Sequence, residues 1–163
     1  MRTGIGFDVH RFADGRRLIL GGVEFEGESG LLGHSDADVV THAVMDALLG
    51  AAGLGDIGQH FPDDDEAWRD ASSLELLGDV VAKLESADYQ IVNIDVSVVA
   101  ERPRLGPRID AMRERLGGVL RVGPQFVSIK ATTAEGLGAL GRAEGIAAWA
   151  VALIDRISEP ELP

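Results

Sequence analysis

The sequence predicts a single α/β (α+β) domain, and three observations carry that reading. A chain of 163 residues is the size of one ordinary domain. Runs with a period of two alternate along it with runs at helical spacing. No repeat, low-complexity stretch or linker divides it, so residues 1–163 are expected to form one unit. Hydrophobic residues make up 45% of the chain but aromatics only 5%, so the core must be built from Ala, Val, Leu and Ile. Such a core is short of large anchors, and oligomerisation would add buried area to it.

Thr3 to His10 reads as the first strand. Side chains at i and i+2 leave the same face, which sets Ile5, Phe7 and Val9 on one side and Gly6, Asp8 and His10 on the other. Leu18 to Phe25, broken by Gly21 and Gly22, reads as a small hairpin. A helix from about Asp36 to Ala52 opens with Ser35-x-x-Asp38, a capping-box arrangement. It carries Asp38, His42 and Asp46 on one stripe and Val40, Val44, Ala47 and Leu48 on another. The carboxylates flanking His42 are placed to orient its ring.

Gly53 to Phe61 is rich in turn residues, and Pro62-Asp63-Asp64-Asp65-Glu66 is a charged loop, either a solvated connector or a lid. Ser72-x-x-Glu75 opens a second helix with Leu74, Leu77, Val81 and Leu84 buried, a purely structural element on this reading. Gln90 to Ala100 alternates, with Val92, Ile94, Val96 and Val98 on one face of a strand. Glu101 to Pro107 is a rigid loop feeding a helix with Pro107 in its first turn, Ile109, Met112 and Leu116 on one stripe, and Gly117 past its end. Two arginines of that loop, Arg102 and Arg104, meet the helix start, a place suited to phosphate. Phe126 to Ala131 is a further strand, leading into Thr132-Thr133-Ala134-Glu135-Gly136, whose hydroxyls, N–H groups and carboxylate suit a phosphate and its cation. Gly145 to Ile157 fits both a helix and a strand buried on two faces.

A net charge of −12 works against nucleic acid and anionic membrane partners, and the two lysines, Lys83 and Lys130, are few for an anionic substrate. Bound cations and arginines such as Arg102, Arg104 and Arg142 have to supply the positive charge. The absence of cysteine excludes a disulfide scaffold and a thiolate metal site. No secretory signal is visible and no apolar stretch is long enough to span a bilayer, so a cytoplasmic location is expected. Asp8 and His10 on one strand face, with His42 on the first strong helix, form a three-ligand set of oxygen and nitrogen donors. Such a set suits zinc or a similar divalent ion with one position open, the arrangement of a catalytic site.

Taken together, these residues resemble the 2-C-methyl-D-erythritol 2,4-cyclodiphosphate synthases of the non-mevalonate isoprenoid pathway. The resemblance runs over nearly the whole chain. It rests on Gly6-Phe-Asp-Val-His10, Gly33-His-Ser-Asp36, His42 with Asp46-Ala-Leu-Leu-Gly50, Gly55-Asp-Ile-Gly58, Phe61-Pro-Asp63, Lys130-Ala-Thr-Thr133, Glu135, and Gly141-Arg142 with Glu144-Gly145. It implies a mixed four-stranded sheet covered by helices, with the last segment a strand, in a homotrimer whose sheets face the threefold axis and whose active sites lie between neighbours. The reaction implied is attack of the 2-phosphate of 4-diphosphocytidyl-2-C-methyl-D-erythritol 2-phosphate on its β-phosphorus, with release of CMP.

By the same resemblance, Asp8, His10 and His42 hold zinc and Glu135 helps hold a second cation, magnesium, at the substrate diphosphate. His34 and Thr133 stabilise the transition state, with Val9 and Ser35 also beside the substrate. Asp56, Ile57 and Gly58 form the erythritol-binding turn, over which Phe61, Pro62, Asp63, Asp64 and Asp65 close. Ala100, Glu101, Arg102, Pro103, Arg104, Leu105 and Gly106, with Ala131, Thr132 and Thr133, line a cytidine pocket that a neighbouring subunit helps form. Arg142 and Glu144 lie near a central cavity for an isoprenoid diphosphate. Departures from the usual pattern are Ala134 for threonine, Ala139 for phenylalanine, Arg104 for lysine and Ala143 for glycine. Two other functions use the same residues: a zinc-dependent phosphoesterase, which would release inorganic phosphate, and a trimeric nucleotide-sensing module without turnover.

Overall fold

The computed structural model describes residues 1–62 and 64–157. In chain order the elements are β1 (Arg2–Ala13), β2 (Ile19–Leu20), β3 (Val23–Glu24), β4 (Gly30–Leu31), α1 (Val39–Ala52), α2 (Ile57–His60), α3 (Ser73–Ser86), β5 (Tyr89–Val99), α4 (Ile109–Leu120), β6 (Val127–Thr132), α5 (Gly138–Gly141) and β7 (Gly145–Arg156). One mixed sheet runs β4-β1-β7-β5-β6, and β2 and β3 form a separate hairpin. The four long strands are those expected. The fifth, β4, is two residues long and has no alternation by which a sequence could announce it.

The last segment is a strand, pairing antiparallel with β1 from Arg2 opposite Ile154 to Arg11 opposite Gly145, and with β5 on its other side. Being central explains its apolar pattern, since one face meets helices and both edges are hydrogen-bonded. On β5 the alternation holds for Ile94, Val96 and Val98, which are buried, but a bulge between Ile91 and Asn93 shifts the register. Val92 is the residue it displaces, and Val92 is exposed instead of sharing the inner face.

Helix α1 lies directly on β1 because that strand is glycine where they meet. A Cβ on Gly4 would come 2.0 Å from the Ala47 carbonyl oxygen, and one on Gly6 would come 2.0 Å from that of Ala43. Across the ladder, the partners of Gly4 and Gly6 are Ala152 and Ala150, so the whole contact is made of small residues. The opposite face carries Ile5, Phe7, Val9, Trp149 and Val151, all at least 39% exposed, with Phe7 and Trp149 rings 4.7 Å apart. Large side chains thus sit on the outer face and small ones on the inner.

The start of α1 differs from the expected capping box. Asp38, fully buried, is the N-cap: its Oδ1 accepts the N–H groups of Val40 and Thr41, each at 3.1 Å, and Oδ2 accepts the Thr41 hydroxyl at 2.7 Å. The same carboxylate accepts the N–H groups of Gly21 at 2.8 Å and Gly22 at 2.7 Å, which fastens the hairpin turn to the helix. Burial pushes the Asp38 carboxyl up from its ordinary range, while these donors pull the other way. The second helix covers the sheet with Leu76, Leu77, Val80, Val81 and Leu84, whereas Leu74 is only half-buried. Gly117 lies inside α4, not beyond it: the helix ends at Leu120, Arg121 takes the left-handed turn at φ 57°, and Val122 donates back to the Gly117 carbonyl at 3.0 Å. Among the described residues, no helix is long and apolar enough to cross a membrane.

Two substitutions test this packing. Gly6→Ala should destabilise the fold by ~1–3 kcal/mol or more, because the added methyl meets helix backbone that cannot rotate away. Asp38→Ala should cost about 2–4 kcal/mol, more than an ordinary cap, because it also orphans the Gly21 and Gly22 donors. Urea unfolding of each variant checks both figures.

Candidate active site and metal centre

The inner face of β1 continues from Gly4 and Gly6 to Asp8 and His10. Two residues along a strand advance about 6.8 Å and one helical turn about 5.4 Å, so the two elements stay nearly in step. Gly4 faces Ala47 and Ala51, Gly6 faces Ala43 and Ala47, and Asp8 and His10 then face His42. Asp8 Oδ2 lies 2.9 Å from His10 Nε2 and 3.0 Å from His42 Nδ1, and the two nitrogens are 3.3 Å apart. Ligands bonded at about 2.0–2.1 Å in a tetrahedron stand about 3.3 Å from one another. The three atoms therefore fit three corners of a divalent metal site with little movement, and they form the one such cluster among the described residues.

Burial pushes the Asp8 carboxyl up, but hydrogen bonds and charge from His10 and His42 outweigh it and hold the group well below the usual carboxylate range. Asp8 is therefore ionised and ready to bind a cation. Asp46, one turn beyond His42, does not orient the imidazole as the stripe suggested. Its Oδ1 accepts the Ile57 N–H at 2.8 Å and so pins the start of α2. Burial, with Asp56 and Asp8 nearby, pushes the Asp46 carboxyl up despite that bond. Asp38 likewise serves the helix cap and not the ring. The groups that do face His42 Nε2 are the hydroxyls of Ser35 at 3.1 Å and Ser73 at 3.0 Å.

A cavity of about 210 Å³ opens over the three ligands and is lined also by His34, Ser35, Ile57, Gly58, Phe61 and Trp68. Of the expected substrate-side residues of this half, His34, Ser35, Ile57, Gly58 and Phe61 are therefore together. Val9 is not among them, because its side chain leaves the opposite face of the strand. Asp56 caps α2 through the Gln59 N–H at 3.0 Å, and Asp65 caps the turn at Glu66–Trp68 through the Ala67 N–H at 2.9 Å. Pro62 and Asp64 follow the cavity wall in sequence, and Asp63 lies outside the described residues. Trp68 was not singled out from sequence. Its ring meets Phe61 edge-on at 5.1 Å, and an aromatic residue just after an acidic loop, in a chain so poor in aromatics, was the available signal.

The remaining predicted residues gather elsewhere. A cavity of about 500 Å³ is lined by Ala100, Glu101, Pro103, Arg104, Leu105 and Gly106 from one loop and Ala131, Thr132 and Thr133 from β6. Arg102 turns out of it, stacking on Phe12 at 4.6 Å and pairing with Glu28 at 3.6 Å. Thr133 donates to Glu135 at 2.8 Å. The N–H groups of Ala134 and Gly136, suited in sequence to a phosphate, are already donated to Glu101 Oε1, at 2.9 and 3.4 Å. Ala139 is exposed on α5, and Arg142 pairs with Glu144 at 2.7 Å. Both cavities lie at the same end of the strands, where Asp8, Ala148, Val98 and Ala131 pair in turn, but β7 and β5 separate β1 from β6, roughly 14 Å at the usual strand spacing. Within one chain, Thr133 and Glu135 are not part of the Asp8 cluster.

Comparison with known proteins finds relatives over nearly the whole chain. A family model described as the YgbB family matches residues 1–155. The 2-C-methyl-D-erythritol 2,4-cyclodiphosphate synthase of Symbiobacterium thermophilum is 63% identical over 154 residues, covering 94% of this chain and 98% of that protein. The bifunctional enzyme IspD/IspF of Anaeromyxobacter dehalogenans is 58% identical over 154 residues, covering 94% of this chain but only 40% of that protein, so the chain spans about two fifths of that relative's length. A solved structure of a 2C-methyl-D-erythritol-2,4-cyclodiphosphate synthase in a CDP-bound form superposes with a TM-score of 0.86 at 37% identity, covering 94% of this chain and all (100%) of the other.

Metal analysis of the purified protein should find one divalent ion per chain at the Asp8 cluster, and His42→Ala should weaken its binding by more than ~100-fold. Stripping the ion with a chelator should lower the melting temperature of the parent protein, by the loss of about 2.7 kcal/mol at a free metal concentration of 100 Kd. It should leave that of His42→Ala unchanged.

Proposed function

The chain belongs to the YgbB family, and from that membership and the paired cavities we propose that it cyclises 4-diphosphocytidyl-2-C-methyl-D-erythritol 2-phosphate to 2-C-methyl-D-erythritol 2,4-cyclodiphosphate with release of CMP. A bond forms between an oxygen of the 2-phosphate and the β-phosphorus, and the bond from that phosphorus to the oxygen bridging to the α-phosphorus breaks. CMP carries away the electron pair. Nucleophile and electrophile belong to one molecule, so the protein's task is to fold the substrate and offset its charge. The observation that carries the reading is the Asp8, His10 and His42 set at the floor of a cavity walled by a helix start and an aromatic pair.

Asp8, His10 and His42 hold a divalent cation, zinc in this reading, which when bound polarises a β-phosphate oxygen as a Lewis acid. His34 and Ser35 flank that position from the loop before α1, where side-chain donors can meet the transferring phosphoryl group. Ile57 and Gly58, held in place by Asp46, bound the erythritol end, and Phe61 and Trp68 exclude water from it. Glu135, with Thr133 fixed beside it, takes part in holding a second cation, magnesium, at the diphosphate. The cytidine end belongs, on this proposal, in the cavity between the Ala100–Gly106 loop and the end of β6, and a solved relative with CDP bound supports a nucleotide ligand.

One substrate needs both cavities, and one chain holds them roughly 14 Å apart across the strands of its sheet. We take the partner half to come from a neighbouring copy in a homotrimer, whose contact would cover the apolar outer face of β1 and β7. That assembly places Arg142 and Glu144 near the axis, where an isoprenoid diphosphate would have to open their ion pair to bind. A cytoplasmic location accords with this biosynthetic role.

The purified protein should release CMP and a cyclic diphosphate with no inorganic phosphate, and His42→Ala should not; free phosphate in place of the cyclic product would favour a hydrolase. His42→Ala and Glu135→Ala should each be inactive alone, yet trimers assembled from an equal mixture should recover roughly a quarter of the parental rate, because random assortment reunites intact halves at that frequency. No recovery in verified mixed trimers would remove the shared-site assembly.

A further inference from the structure

His34 and Ser35 stand in a stretch, residues 33–38, that is neither helix nor strand. Such a stretch has no ladder to hold it, so what fixes its side chains must be sought in the bonds made by its backbone. Three such bonds are present. The Asp70 N–H donates to the His34 carbonyl at 2.9 Å, and the Asp36 N–H donates to the Ala71 carbonyl at 3.1 Å. The Ser35 carbonyl accepts from the Arg16 guanidinium. The peptide joining Ser35 to Asp36 is thus held at both of its polar groups, on one side by backbone and on the other by a single side chain.

Arg16 reaches that carbonyl from a fixed point. Its own carbonyl accepts the Gly30 N–H at 3.0 Å, and a Cβ on Gly30 would come 2.5 Å from that oxygen, so β4 lies directly against it. The Arg16 side chain is only 27% exposed. A second guanidinium nitrogen lies 3.9 Å from Asp70 Oδ1, and Asp70 is the residue whose N–H holds His34. That carboxylate is largely in water, so the pair adds little energy, but it helps to aim the planar fork. The contacts close a circuit from Arg16 through Ser35 and His34 to Asp70 and back.

We infer that Arg16 is a positioning residue, which by holding the Ser35 carbonyl sets the direction from which His34 and Ser35 meet the transferring phosphoryl group. The inference rests on those two residues acting there, as proposed above. Without Arg16 a part-buried carbonyl loses its donor, and the peptide can turn about its remaining bond to Ala71. A turn there moves the Ser35 side chain and, through the adjoining peptide, His34; a misplacement of about 1 Å is enough to cost ~100-fold in rate. The distances among Asp8, His10 and His42 are set by β1 and α1 and not by this loop, so their cation should stay. Lysine is no substitute, since one ammonium cannot present the two-pronged fork that faces both the carbonyl and Asp70.

CMP release, metal content and backbone hydrogen exchange of the full chain test the clamp together. Arg16→Ala should lower kcat about 10–100-fold with little change in KM, and should keep the parental metal content. Its Asp36 and Asp70 amides should exchange roughly 10-fold faster, the effect of one lost hydrogen bond, while the α1 amides keep their parental rates. Added guanidinium ion, at a concentration too low to unfold the protein, should restore part of the Arg16→Ala rate and leave the parent unaffected. Arg16→Lys should fold as the parent does and remain well below its rate. Parental kcat in Arg16→Ala, parental exchange at Asp36 and Asp70, or a full rate in Arg16→Lys overturns the clamp. So does a loss that guanidinium does not restore, accompanied by a fall in the unfolding midpoint, which would make Arg16 a residue of the fold alone. If exchange changes as expected but His34→Ala and Ser35→Ala turn over at the parental rate, the proposed role of those residues fails while the clamp stands.

Discussion

The contact of helix α1 with strand β1 across Gly4 and Gly6 is the constraint on which the rest of the structure depends. A side chain at either position would push the helix off the strand, since the space is filled by the helix's own carbonyls 2.0 Å from where a Cβ would stand. Close approach brings His42 to within 3.0 Å of Asp8, a distance that a strand and helix separated by ordinary side chains would not reach. It also explains the composition. Alanines at 148, 150 and 152 continue the flat floor onto β7, so the inner face is buried by proximity, not by bulk. Large apolar groups are displaced to the outer face, where Ile5 is 70% exposed in the single chain. A site with short ligand distances and a sheet with an uncovered apolar face are two results of one packing choice.

Electrostatics follows from the same geometry. Asp8 and Asp46 line a small cavity, with the charge of Asp56 near Asp46, in a chain that is already strongly acidic. Asp8 keeps its charge because two imidazoles face it, whereas Asp46 has one backbone donor and two carboxylate neighbours. The charge of the cavity thus favours a cation. Arginines do not fill the gap: Arg102 is engaged with Phe12 and Glu28, and Arg142 with Glu144, which leaves Arg104 as the arginine on the wall of the second cavity.

Much of this was legible in the sequence because it depended on period and spacing. Asp8 and His10 share a face by strand geometry alone, and His42 lies on a helix whose polar stripe centres on it. What was not legible depended on contacts between distant segments. Ser35 looked like a cap since it precedes a helix by the right interval, but the hairpin glycines recruit Asp38 to that task, and no local pattern encodes such a long-range bond. Ser73 read as an ordinary helix start, because its partners Asp36 and His42 belong to another part of the chain. Val92 was assigned inward by an alternation that a bulge interrupts. Gly117 looked like a stop signal, yet its missing side chain serves the chain folding back beyond Arg121. The last segment was ambiguous for a physical reason: a central strand packed against a helix is apolar at nearly every position, as a buried helix is.

The central claim is that the Asp8, His10 and His42 cluster holds the cation on which the substrate's diphosphate is placed, with the nucleotide end in a cavity from another copy of the chain. The most direct measurement is a crystal structure grown with zinc and a non-reactive cytidine diphosphate ligand, with anomalous data at the zinc edge. The account predicts an anomalous peak bonded to Asp8 Oδ2, His10 Nε2 and His42 Nδ1, a phosphate oxygen in its fourth position, and the cytosine against residues 100–106 of a neighbouring chain. A peak away from these three atoms, or a ligand with both ends held by one chain, would contradict it.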